Sequence, residues 1–119
     1  MKILVRVAIL SLFVSSLAAA QEVISNVKAS KLIAAYNCQA CHSLGKSALP
    51  GPSWHAIARK YASDSNAVGD LEASVVNGSS GTWGNSAMPP INIADDDLDA
   101  LLLWILQTPT MRCFNGYCD

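Results

Sequence analysis

Asn37-Cys-Gln-Ala-Cys-His-Ser-Leu-Gly45, written "NCQACHSLG", is the stretch that decides how this chain is read. It holds Cys38 and Cys41, two of the four cysteines, with His42 directly after the second. Four chemistries use such a stretch. A thioredoxin-like redox pair sits in a βαβ context, and no such pattern surrounds this one. A zinc site takes four ligands, usually as two pairs at matched spacing. Here His55, Cys113 and Cys118 are a poor second half. A disulfide across two intervening residues constrains the unfolded chain little. The fourth reading is covalent haem attachment, for which Cys-x-x-Cys-His is the signature. On a helical turn the two sulfurs lie at i and i+3 and can reach two vinyl groups along one haem edge. The histidine that follows is placed to ligate the iron.

The compartment suits that reading. Residues 1–20, MKILVRVAILSLFVSSLAAA, have a basic start (Lys2, Arg6), an apolar run from Val7 to Leu17, and small residues Ala18 and Ala20. This is the pattern of a cleaved export signal ending at Ala20. The apolar run is shorter than the ~20 residues of a membrane span, although a retained anchor is the competing reading. The mature chain then starts at Gln21, in the periplasm, where disulfides persist. It keeps 6 of the 8 basic residues and all 9 acidic ones, a net charge of −3. That balance gives no reason to expect a nucleic-acid partner.

Four segments of the mature chain have helical period. Ser30 is placed to cap a helix from Lys31 to Asn37, with Leu32 and Tyr36 one turn apart. After Pro52, Trp54, Ile57, Ala58 and Tyr61 form one apolar stripe. A third helix is expected from Ala67 to Asn77, with Leu71 and Val75 inward and Gly78 just past its end. In the fourth, Asp95, Asp96 and Asp97 suit a helix N-terminus. Leu98, Leu101, Leu102 and Ile105 then repeat the stripe, Leu103 widens it, Trp104 flanks it, and Pro109 stops it. The stretches 43–52 and 78–90 are rich in glycine and proline and read as loops. No segment shows strand alternation. The fold expected is all-α, in one domain over residues 21–119, with residues 108–119 as a C-terminal extension. A long structureless loop in so small a domain points to function.

A second axial ligand for haem iron has three candidates: Met88, Met111 and His55. Met88 lies in "SAMPP", where Pro89 and Pro90 stiffen the loop and reduce the entropy lost on ligation. A methionine is more often core filler, but the haem motif and the prolines favour the ligand. Met111 lies in the tail, and His55 begins a helix and reads as a surface residue.

These pieces, in order "CQACH", "GPSWHAIARKYA", "VVNGSSGTWGNSAMPP" and "DDDLDALLLWIL", resemble a class I c-type cytochrome, nearest the small bacterial c551/c552 group. They cover most of residues 30–106. The resemblance implies about four helices wrapped around one covalently bound haem c, with His42 and Met88 as axial ligands. It further implies that the Pro52 carbonyl accepts from the other imidazole nitrogen of His42. Trp83 would pack on the haem and reach a propionate through its indole N–H, an ordinary core aromatic being the alternative. Leu101 and Trp104 would pack on the first helix. The chain also departs from the pattern. Ser74 stands where a basic partner for a propionate is common. Ile91 replaces a side-chain amide that often bonds the methionine sulfur, with Asn92 one residue later. In the tail, Asp119 follows Cys118, which excludes a second haem motif. A disulfide between Cys113 and Cys118, with Asn115-Gly116 as its turn, is the expectation there, paired free thiols or an intermolecular bridge being the alternatives.

A His/Met site leaves iron no open position, and so favours one-electron transfer over substrate chemistry. The function expected is a monomeric periplasmic electron carrier, not an enzyme, moving electrons between respiratory redox proteins or membrane complexes. Two alternatives share the haem: an electron-transfer subunit of a periplasmic oxidoreductase, and a sensor or peroxidase-like protein in which Met88 dissociates.

Overall fold

The computed structural model describes residues 24–45 and 48–108, with the backbone alone of 113–114 and 117–118. The export segment, Pro109, Met111 and the Cys113 and Cys118 side chains lie outside the described residues. Four α-helices carry the fold, consistent with the all-α expectation: α1 (Asn26–Ala35), α2 (Trp54–Tyr61), α3 (Ala67–Val76) and α4 (Asp95–Gln107). A 3₁₀ turn, Cys38–Ala40, follows α1.

Helix α1 starts five residues before the expected position. Ser25 is its N-cap, its Oγ accepting from Lys28 N at 3.2 Å. Ile24 before the cap and Ala29 after it are both buried in one cluster, a hydrophobic staple that fixes this start. Ser30 lies inside the helix and donates to Asn26 O instead. Helix α2 forms as read, with Ser53 capping Ala56 N. Gly78, just past the end of α3, has φ +76, and an ideal Cβ there would lie 2.7 Å from Met88 O. Glycine is therefore required where the chain turns back toward Met88.

Helix α4 is the central element and packs on α1, α2 and α3. Its N-cap is Ala94, which has no capping side chain, so the three aspartates sit within the first turn. Tyr36 at the end of α1 ties down this start instead. Its hydroxyl donates to Asp97 Oδ2 at 2.7 Å and accepts from Ala94 N at 3.4 Å. At the other end of the pair, Trp104 Nε1 donates to Asn26 Oδ1 at 2.9 Å. The core gathers Ile24, Ala29, Trp54, Ile57, Leu71, Leu98, Leu102, Trp104 and Ile105.

Several expectations need correction. Trp104 is buried rather than flanking, while Leu103 is 44% exposed and does not widen the core face. His55 is buried, not a surface residue, because the 43–45 segment folds over the start of α2. There His55 N donates to Leu44 O and Trp54 N to Ser43 O. The glycine-rich loop contains an antiparallel ribbon, β1 (Ser79–Gly81) with β2 (Gly84–Met88). Gly81 pairs with Gly84 and Ser79 with Met88, so Thr82 and Trp83 form the turn. In the extension, β3 (Cys113–Phe114) pairs with β4 (Tyr117–Cys118), which sets the Cys113 backbone opposite Cys118.

Candidate functional site

The site begins at the 3₁₀ turn. Asn37 takes a left-handed conformation, φ 56, which ends α1 and redirects the chain. Asparagine tolerates that region better than most residues. Cys41 N and His42 N then both donate to Cys38 O, at 3.2 and 3.0 Å. The two cysteines are thus one tight turn apart, with both thiols free. Burial pushes the Cys38 thiol above its ordinary pKa, against a smaller opposing pull from its own backbone N–H.

His42 is held from three sides. Its Nδ1 donates to the Pro52 carbonyl at 2.7 Å. A carbonyl can only accept, so Nδ1 is the nitrogen that donates, which leaves Nε2 as the nitrogen available to a metal. The Trp54 indole stacks on the ring, 4.7 Å between centroids and 25° between planes. Gly51 lies against the third side. An ideal Cβ there would sit 2.7 Å from Cys41 O and 2.8 Å from His42 Cε1. Gly51 N also donates to Cys41 O at 2.8 Å, so the "GP" dipeptide is laced to the attachment turn.

An open cleft of ≈ 870 Å³, solvent at its mouth included, lies beyond His42. Helix α2 supplies Ile57 and Tyr61, α3 supplies Leu71 and Val75, and α4 supplies Leu102 and Ile105. The β1–β2 ribbon adds Trp83, from its turn, and Met88 to the lining. Five of the six expected site residues, Cys41, His42, Pro52, Trp83 and Met88, line this cleft. Cys38 lines a second, smaller apolar cavity of ≈ 420 Å³, open solvent included, that shares Trp54, Val75, Leu102 and Ile105 with the cleft. Such a chamber, with apolar walls and with an imidazole and a thioether in its lining, fits a flat apolar group anchored at its edge by two thiols. His55 is removed as a rival ligand: it does not line the cleft, and its Nε2 is buried with no hydrogen-bond partner among the described residues.

Two contributors escaped the sequence reading. Trp54 was visible as a core residue, but its stacking on His42 was not. Gly51 was visible as a loop residue. Its place before Pro52, ten residues on from His42, was the available signal of close packing. Ile91 N donates to Val75 O at 2.9 Å, tying the chain after Pro90 to α3, while Asn92 is exposed.

The fold and the cleft define a small helical haem protein with a covalent attachment turn. The cytochrome c family model matches residues 27–109, and the chain belongs to that family. Membership implies a covalently attached c-type haem and makes the chain an electron-transfer protein rather than an enzyme. It is 41% identical over 70 residues to cytochrome c-552 of Hydrogenobacter thermophilus, covering 59% of this chain and 70% of that one. With cytochrome c-551 of Pseudomonas denitrificans it shares 37% identity over 76 residues, 64% of this chain and 92% of the relative. The fold matches wild-type Nitrosomonas europaea cytochrome c552 at a TM-score of 0.61 and 41% identity, covering 65% of this chain and 95% of that one.

Proposed function

We propose that the chain is a periplasmic one-electron carrier whose haem iron is held by His42 and Met88. The observation that carries this reading is the pair of ligands facing one cleft. His42 has its Nδ1 committed to Pro52 at 2.7 Å, and Met88 lines the same cleft from the ribbon. Bound there, a c-type haem supplies a reversible Fe(III)/Fe(II) couple. Cys38 and Cys41 would hold the haem edge to the turn after α1 through thioether links. Pro52 orients His42 and makes its imidazole more basic, which favours the ferric form. Met88, a soft thioether, favours the ferrous form and raises the potential. Ile57, Leu71, Leu102 and Ile105 exclude water from the haem face. Trp83 closes the cleft mouth and offers its indole N–H to a propionate.

Residues 1–20 direct export and are removed. The mature domain is 21–119, and a Cys113–Cys118 disulfide pins its extension, a pairing favoured by their facing backbone positions. Electrons pass to and from respiratory redox proteins through short-lived contacts, with the carrier as a monomer. Replacing Met88 with Ala tests the ligand set. The variant is expected to bind carbon monoxide in the reduced state, where the unaltered protein does not. A Met88→Ala protein that stayed closed to carbon monoxide would contradict the assignment.

A further inference from the structure

A haem brings two carboxylates into its site, and no Asp, Glu, Lys or Arg side chain lines this cleft among the described residues. On α3, Ser74 lines it, but its Oγ donates to Asp70 O at 2.8 Å and so turns back into its own helix. The cation found over the lining, among the described residues, comes from α2. Lys60, in the last turn of that helix, holds its Nζ 5.7 Å from the ring centroid of Trp83 and 5.7 Å from that of Tyr61. Both rings line the cleft. The ammonium group is therefore poised at the seam where α2 meets the ribbon turn, and among the described residues no carboxylate pairs with it. Cation–π contacts occupy only part of an ammonium group, which has three donors.

We propose that Lys60 is the positioning cation for a haem carboxylate at the Trp83 end of the cleft, taking the part that Ser74 cannot play. The proposal rests on the haem reading above. One side chain then does two things. Its charge answers the carboxylate, and its contact with the Trp83 face holds the ribbon turn against α2. A positive charge beside the haem opposes the extra charge of the ferric form, so Lys60 favours the ferrous state. Pairing also keeps the carboxylate ionised to lower pH.

The test compares haem-loaded wild type, Lys60→Gln, Lys60→Arg and Arg59→Gln by redox titration across pH. Arg59→Gln removes the same charge from the neighbouring position on α2. Lys60→Gln is expected to shift the ferric-to-ferrous ratio at fixed applied potential toward ferric by roughly two- to fivefold, the scale of an exposed charge pair. It is also expected to make the potential pH-dependent at mildly acidic pH, as the unpaired carboxylate takes up a proton. Lys60→Arg should keep the wild-type ratio, and Arg59→Gln should move it less. Equal effects of Lys60→Gln and Arg59→Gln, or a Lys60→Gln titration identical to wild type, would overturn the proposal while leaving the haem site intact. A wild-type chain that takes up no haem would overturn both readings.

Discussion

Replacing Gly51 with Ala probes the way His42 is held. The added Cβ would lie 2.7 Å from Cys41 O, 2.8 Å from His42 Cε1 and 2.9 Å from His42 Nδ1. Each is about half an ångström or more inside ordinary contact. None of these atoms can swing away. Cys41 O is fixed by the bond from Gly51 N, and the His42 ring is clamped between the Pro52 carbonyl and Trp54. The segment 50–52 must move instead, which overpacks the site at a cost of about 1–3 kcal/mol. Loss of the Gly51–Cys41 bond adds about 1 kcal/mol. A total of about 2–4 kcal/mol is a large part of the stability of a small domain. In urea unfolding of the matured protein, the midpoint should fall while the slope stays unchanged. As the Pro52 carbonyl is displaced, the imidazole becomes less basic and the potential should rise. A Gly51→Ala protein with wild-type midpoint and wild-type potential would refute this account of the packing.

Other expectations are as direct. Trp104→Phe keeps an aromatic in the core but drops the bond to Asn26, and should cost about 1 kcal/mol in denaturant unfolding. An Asn26→Ala, Trp104→Phe cycle should show the two changes to be coupled rather than additive. Gly78→Ala, at φ +76 and facing Met88 O at 2.7 Å, should cost about 1–3 kcal/mol. It should also make the reduced protein more open to carbon monoxide, since the strain falls on the segment bearing Met88. Alkaline stability reports on Tyr36, whose pKa is raised by its hydrogen bond to Asp97, opposed in part by the Ala94 N–H. Tyr61 is raised too, chiefly by burial and then by Asp70 and Asp64. A raised folded pKa means the stabilisation is complete below the unfolded value near 10 and is lost as pH climbs through the folded value. Unfolding midpoints should therefore fall above pH ~10, and less steeply in Tyr36→Phe.

The attachment turn was legible because its chemistry is local: two sulfurs and an imidazole within five consecutive residues. Helices α2, α3 and α4 were legible because each presents an apolar face at helical spacing. The start of α1 was not, because two serines could cap it. The choice fell to Ser25 through Ile24, whose partners in the core are distant in sequence. His55 misled because its burial comes from a loop folding over α2, not from its place on the helix stripe. The ribbon was hidden for a different reason. Its glycines and serines show no apolar alternation, and Trp83 and Met88 face a cleft whose natural filling is not part of the polypeptide. Trp104 and Leu103 exchanged roles because α4 packs against three other helices at once, which turns its buried face toward Trp104.

The most direct test of the central claim is an absorption spectrum of the exported, haem-matured protein, oxidised and then reduced with and without carbon monoxide. The account predicts a covalently retained haem with sharp low-spin bands that carbon monoxide leaves unchanged, because His42 and Met88 fill both axial positions. A spectrum that shifts on adding carbon monoxide would contradict the closed site. The absence of covalently held haem would contradict the reading of Cys38, Cys41 and His42 altogether.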